Sequence, residues 1–186
     1  MKGRSFLIRF ADDYVAGFEV ESDAVRALEA MGKRFMRFGL ELHPDKTKLI
    51  RFTKPSGKNG KLNQPGTFEY LGFTFYKGLS RQGTWVIKSK TARKRQARFK
   101  KMVWNWCKSN RHQSLKEQYI MLCSKLRGHY QYFGLRGNYE AIAKVRHFTV
   151  RVWKFWLGRR SHKGKVSFID LVEKYPLPKP RIVQSV

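Results

Sequence analysis

At 186 residues the chain carries 40 Lys and Arg against 13 Asp and Glu, a formal charge of +27 and a pI near 10.6. Such a field favours polyanions, nucleic acid first, because Lys and Arg displace the counterions condensed on a phosphate backbone. A disordered basic tail is the plainer alternative, but an aromatic content of 15% with five Trp argues for packed structure throughout. The charge is uneven: residues 1–80 hold 14 basic and 9 acidic residues, residues 81–186 hold 26 and 4. Cys107 and Cys123 lack metal-ligand spacing and read as buried thiols of a reducing compartment. Met1 to Arg4 lead into a strand rather than a long apolar run, and no stretch approaches membrane length, so a cytoplasmic protein without a membrane partner is expected.

In chain order, Phe6, Ile8 and Phe10 alternate with Leu7 and Arg9 as in a strand with one well-buried face. Asp12 and Asp13 follow at a turn, and Tyr14 to Val20 reads as the returning strand. Ser22 is a candidate N-cap for a helix carrying Val25, Leu28, Met31, Phe35 and Phe38, with Gly39 in the C′ role. Short strands are expected at 40–42 and 48–52, separated by a turn at 43–45, then a loop rich in turn formers over 54–66. Thr67 to Tyr76 reads as a strand with Gly72 inside it, a bulge or a close backbone approach, and Trp85–Ile87 as its hairpin partner.

From Lys90 the period becomes helical. Three amphipathic helices carry Phe99, Val103 and Trp106; then Leu115, Tyr119, Leu122, Leu126, His129 or Tyr130, and Phe133; then Ile142, Val145, Thr149, Val152 and Trp156. Ser167 and Asp170 have capping-box spacing before one more short helix, and Pro176, Pro178 and Pro180 make the tail extended. The fold class is α+β, antiparallel hairpins plus one helix followed by an all-α three-helix bundle. The expected domains are 1–88, 89–160, and a short helix with a Pro-rich tail over 161–186.

Two carboxylates at a hairpin tip suit magnesium, which takes a few carboxylates together with substrate phosphates. A nucleotidyl transferase uses two such ions, one on the attacking hydroxyl and one on the triphosphate. The plainer reading of Asp12 and Asp13 alone is a turn whose side chains cap amides or face water. For Lys46 the plain reading is a surface lysine, and for Phe68, Tyr70 and Leu71 it is strand packing.

The order of several blocks adds to this. Phe10-Ala11-Asp12-Asp13 resembles the Tyr-Ala-Asp-Asp box of reverse transcriptases encoded by group II introns. Gly39 to Thr47 resembles the block after the palm helix, Phe68 to Phe73 the primer-grip hairpin, Leu126 to Phe133 the thumb of the maturase domain, and Tyr175 to Ile182 its end. The resemblance implies a partial polymerase palm followed by a helical thumb. It implies Asp12 and Asp13 as carboxylates of a two-ion Mg2+ site, Lys46 at the pyrophosphate, and Phe10 beside the primer terminus. Phe68, Glu69, Tyr70, Leu71 and Gly72 would form the primer grip. Basic helix residues Arg93, Lys94, Arg98 and Lys101, with Arg127, would contact nucleic acid. His129 stands where a tryptophan is common in the family.

The implied partners are group II intron RNA and an RNA template with its DNA primer. The family's fingers, first palm strand and third catalytic aspartate precede the Asp pair, so the two-ion site is expected to be incomplete here. A separate N-terminal reverse transcriptase half is the expected complement. Without it RNA binding is expected and polymerisation is not. The other reading is a non-catalytic RNA-binding splicing factor that uses only the basic helices.

Overall fold

The computed structural model describes residues 1–53, 66–160 and 167–183. The chain divides into two compact units, Met1–Leu71 with Phe75–Ile87, and Gly72–Thr74 with Lys88–Val186. Among the described residues the elements are antiparallel strands and five helices, an α+β fold. The expected loop over 54–66 lies outside the described residues except for Gly66.

The first unit begins with a hairpin of β1 (Ser5–Phe10) and β2 (Asp13–Phe18), in register from Ser5 opposite Phe18 to Phe10 opposite Asp13. Its two-residue loop is Ala11-Asp12, with Ala11 at φ +53°. A positive φ at the first loop residue alone is the pattern of a II′ turn, whose twist matches the strands it joins. For an alanine this left-handed backbone costs roughly 1–2 kcal/mol. The Phe6 ring lies across its cross-strand partner Gly17, where a Cβ would meet it at 2.3 Å and push the exposed ring aside.

The expected buried face of β1 is absent: Phe6, Ile8 and Phe10 are 59%, 53% and 64% exposed. Alternation states that one face is apolar, but burial needs a second layer. The only helix among the described residues of this unit, α1 (Glu21–Met36), packs on β2, where Tyr14 Oη meets Met31 Sδ at 3.5 Å. The N-cap of α1 is Val20, not Ser22, and no side chain caps it. Glu21 and Asp23 supply negative charge to the first turn instead. Asp23 is buried and accepts from the Lys2 and Gly3 amides at 2.6 and 2.9 Å, and from Arg26. The Gly3 amide foremost holds its carboxyl below the usual range.

The helix ends at Met36, so Phe38 lies beyond it, and Gly39 at φ +67° reverses the chain two residues after the Arg37 C-cap. Residues 40–42 and 48–52 are not strands. A strand exists only as part of a ladder, and this stretch forms turns instead, with the Lys46 and Thr47 amides both donating to His43 O.

A second sheet has the order β3 (Phe68–Tyr70), β4 (Phe73–Leu79), β5 (Trp85–Thr91). Gly72 is not inside a strand. Leu71 at φ +49° and Gly72 at +79° form the two-residue loop between β3 and β4, the sign pattern of a I′ turn. The glycine serves the turn rather than a close approach, since the nearest atom to a Cβ there is Arg95 Cγ at 3.5 Å.

The second unit is helical. α2 (Arg93–Ser109), α3 (Leu115–Phe133) and α4 (Tyr139–Leu157) bury Val103, Cys107, Leu122, Leu126, Ile142, Val145, Trp153 and Leu157. Full burial of each such aliphatic side chain contributes about 1.5–3 kcal/mol. Leu171 of α5 (Phe168–Lys174) and Leu177 of the extended tail join the same cluster. The tail is therefore packed, with Tyr119 Oη and Tyr130 Oη donating to Pro176 O and Pro178 O. Cys107 and Cys123 are buried and free on different helices.

Two polar hubs order this core. Gln118 accepts from Trp153 Nε1 at 2.8 Å and donates to Arg111 O and Gln113 O. Asn138 accepts from the Thr91 amide and donates to Thr91 Oγ1 and Phe133 O, all within 2.9 Å. The capping box lies at Ser114 and Glu117, opening α3. Ser167 does occupy the N-cap of α5, yet its side chain makes no cap bond.

Candidate nucleic-acid interface and hairpin carboxylates

The hairpin register places Asp12 in the loop and Asp13 at the first position of β2, adjacent and both exposed. Phe10, 64% exposed, stands opposite Asp13. The loop is held from one side, where Arg9 Nε donates to Ala11 O at 2.7 Å. Lys46 is exposed in the turn after residue 43, and no hydrogen bond or ion pair among the described residues joins it to Asp12 or Asp13.

Two adjacent carboxylates are suitable donors for a hard cation. Among the described residues, however, no group of three or more Asp, Glu, His or Cys side chains converges. The arrangement offers two ligands of one ion rather than the clamp of a two-ion centre.

The predicted grip residues 68–72 form a tight hairpin. Phe68 is half-buried, its ring stacked on Phe75 at 5.2 Å and edge-on to Phe52 at 5.3 Å. Lys77 Nζ lies 5.4 Å from the Phe52 centroid. Glu69 points to solvent, whereas Tyr70 Oη is buried with no partner. Phe68 and Tyr70 therefore pack, and Glu69 is the side chain of β3 open to a ligand.

Arg93, Lys94, Arg98 and Lys101 are all exposed on α2, and Lys94, Arg98 and Lys101 share one stripe at i, i+4 and i+7 spacing. The first turn of α2 holds no acidic residue, its Ala92 N-cap makes no side-chain bond, and Arg93, Lys94 and Arg95 crowd there. Cations at a helix N-terminus oppose the macrodipole, an arrangement that an external anion would relieve. Arg127 is exposed on α3.

His129, two residues along the same helix, is 6% exposed between the Phe99 and Phe133 rings, at 4.2 and 4.7 Å between centroids. Burial holds its pKa down to about 4, and its Nε2 has no partner, so it is a neutral core ring. Burial also pushes the Cys107 thiol up to about 12, which makes it a packing group rather than a nucleophile.

One surface escaped the sequence reading. His147, Arg151, Phe155 and Arg159 recur every four residues along α4 and just past its end, and with Lys154 and Gly158 they line an open cavity of about 730 Å³. The Arg159 guanidinium sits 4.3 Å from the Phe155 centroid, and Trp104 of α2 lies 5.3 Å from both Phe155 and Trp156. The period-four recurrence of basic and aromatic residues was the available signal.

No described helix is long and apolar enough to cross a membrane. No curated protein matches the chain. Residues 1–75, from the first hairpin into β4, match the model of the reverse transcriptase (RNA-dependent DNA polymerase) family, and over that segment the chain is similar to such polymerases.

Proposed function

We propose that this protein is a nucleic-acid-binding relative of reverse transcriptases of the group II intron kind, whose second unit binds intron RNA in a maturase role. The observation that carries the reading is α2: seven basic residues, no acidic one, and an uncapped cationic first turn, on a helix that buries Val103 and Cys107 in the core. Phosphates neutralise that turn and satisfy its free amides together. The resemblance of residues 126–133 to a maturase thumb supports the choice of intron RNA, with Arg127 beside the phosphates.

The test is the salt dependence of binding to a structured intron RNA by the full chain. Each neutralised phosphate adds roughly 0.7–0.9 to the slope of log affinity against log salt. Reversing Arg93, Lys94, Arg98 and Lys101 to Glu flattens the slope by about three units or more. An unchanged slope removes α2 as the binding surface.

A second reading is favoured by the carboxylates at the hairpin tip within the polymerase-like segment: magnesium-dependent DNA synthesis on an RNA template. Asp12 and Asp13 would hold one ion, which when bound stabilises charge on a nucleotide's phosphates. Phe10 would stack beside the primer terminus, residues 68–72 would position its backbone, and Lys46 would donate charge or a proton to the leaving pyrophosphate. With two carboxylates in place, the two-ion chemistry would need a further ligand beyond Asp12 and Asp13, and no primer extension is expected from these two alone. Paramagnetic broadening by Mn2+ at the Asp12 and Asp13 amides, lost in Asp12→Asn, checks the ion. Primer extension by the chain alone, abolished by Asp12→Ala, would show the site to be complete.

A further inference from the structure

We infer that the exposed face formed by α4 and Trp104 of α2 is a stacking site for an unpaired nucleobase of a single-stranded nucleic acid. This rests on the nucleic-acid reading above and deepens it by separating a base-contacting surface from the phosphate-contacting stripe of α2.

The first ground is chemical composition. Trp104 and Phe155 are 38% and 40% exposed, although large aromatic rings ordinarily gain from burial. They lie 5.3 Å apart with planes inclined by 30°, and Trp156 closes the cluster edge-on to both, at 73° to Trp104 and 87° to Phe155. The part-exposed Trp104 ring and the Phe155 ring, the latter with Arg159 lying over it, form a shelf on which a flat heterocycle can stack whatever its sequence identity.

The second ground is charge. Arg151, Lys154 and Arg159 flank the shelf, with His147 at one end of the cavity and Lys108 Nζ 6.0 Å from the Trp156 ring. The sole acidic residue of α2 and α4 is Glu140, which is engaged by Lys144 at 2.6 Å near the opposite end of α4. The Arg159 guanidinium already covers the Phe155 ring, the geometry in which arginine extends an aromatic stack while its free edge reaches a phosphate.

The third ground is shape. The cavity is open rather than closed over, and its lining runs from His147 to Arg159, about 18 Å along the helix at 1.5 Å per residue. That is a groove for a strand rather than a pocket for a detached nucleotide. A duplex hides its base faces and would meet only the cations, so the shelf distinguishes single strands from duplexes.

The experiment compares the full chain with Trp104→Leu and Phe155→Leu, singly and together, for binding of a labelled uridylate oligomer of about eight nucleotides and of an RNA duplex of equal length. Loss of one stacked base weakens single-strand binding by roughly five- to a hundred-fold. Duplex affinity and the salt slope stay within about twofold, and Phe155→Tyr, which keeps the ring face, retains binding. A thymidylate oligomer in parallel separates base stacking, shared by both polymers, from a requirement for the ribose hydroxyl. Reversal of the α2 stripe lowers both ligands together, so failure of the general nucleic-acid reading is distinguished from failure of the shelf. Equal losses on single strand and duplex, or no loss on either in variants with unchanged thermal melts, overturn the inference.

Discussion

The β1–β2 hairpin and the α2–α4 bundle carry comparably strong apolar patterns, yet the structure treats them in opposite ways. In the bundle, Val103, Leu122, Leu126, Ile142 and Trp153 are at most 1% exposed, because three helices present apolar stripes to one another. In the hairpin, Phe6, Leu7, Ile8 and Phe10 remain more than half exposed, because no layer lies against β1 among the described residues of its own unit. Pattern sets which face is apolar. The supply of a facing element sets whether that face contributes to stability.

The largest expected effect comes from breaking the bundle side of this contrast. Leu126→Ala removes a fully buried side chain from the centre of the core and is expected to cost about 2–5 kcal/mol. Because two compact units need not melt as one transition, amide hydrogen exchange is the suitable readout. Protection should fall across α2, α3 and α4.

A second effect, about 3 kcal/mol, belongs to His129, whose ring is held neutral by burial with a pKa of about 4 against an ordinary 6.5. Between those values the unfolded chain binds a proton that the folded chain does not. Stability of the second unit is therefore full above pH 6.5, falls as the pH drops toward 4, and levels below that. His129→Phe should flatten this dependence between pH 4 and 6.5, read by near-ultraviolet circular dichroism of the thermal transition. A wild-type transition independent of pH over that window would place a charge partner near the ring.

The α+β class, the first hairpin, the three long helices and their core-facing residues were legible because period and turn chemistry agree there. Other features were legible only in part, for identifiable reasons. Leu71 adopts φ +49°, a conformation its residue type does not announce, so the turn before β4 looked like a continuous strand. Residues 40–42 have strand composition but no ladder partner among the described residues, which composition cannot report. Ser114 with Glu117 and Ser167 with Asp170 share a spacing, and only the former closes a capping box, joined at 3.2 Å in both directions. The carboxylate pair at 12–13 was visible from residue type and hairpin position. The α4 shelf was not, because His147, Arg151, Phe155 and Arg159 mix basic and aromatic residues that a hydrophobicity pattern scores as opposites.

A smaller effect sharpens the same contrast at a helix end. Ser114→Ala removes the cap on the Glu117 amide and should cost about 1 kcal/mol, seen as faster exchange in the first turn of α3 and little change in α4. The smallest expected effect is on the hairpin. Ile8→Thr, at a residue already 53% exposed, should change stability by no more than about 0.5 kcal/mol and leave the exchange of α1 unaltered. A cost above about 2 kcal/mol would show that β1 is covered in solution.

The most direct test of the proposed nucleic-acid role is lysine-reactivity footprinting of the full chain with and without structured RNA. Lys94 and Lys101 of α2 are exposed, as are Lys33 of α1 and Lys46 in the turn after it, so all four are available to the reagent in the free protein. RNA is expected to protect Lys94 and Lys101, the protection weakening as salt rises, while Lys33 stays reactive throughout. Protection of Lys33 and Lys46 with Lys94 and Lys101 left reactive would contradict the proposed role.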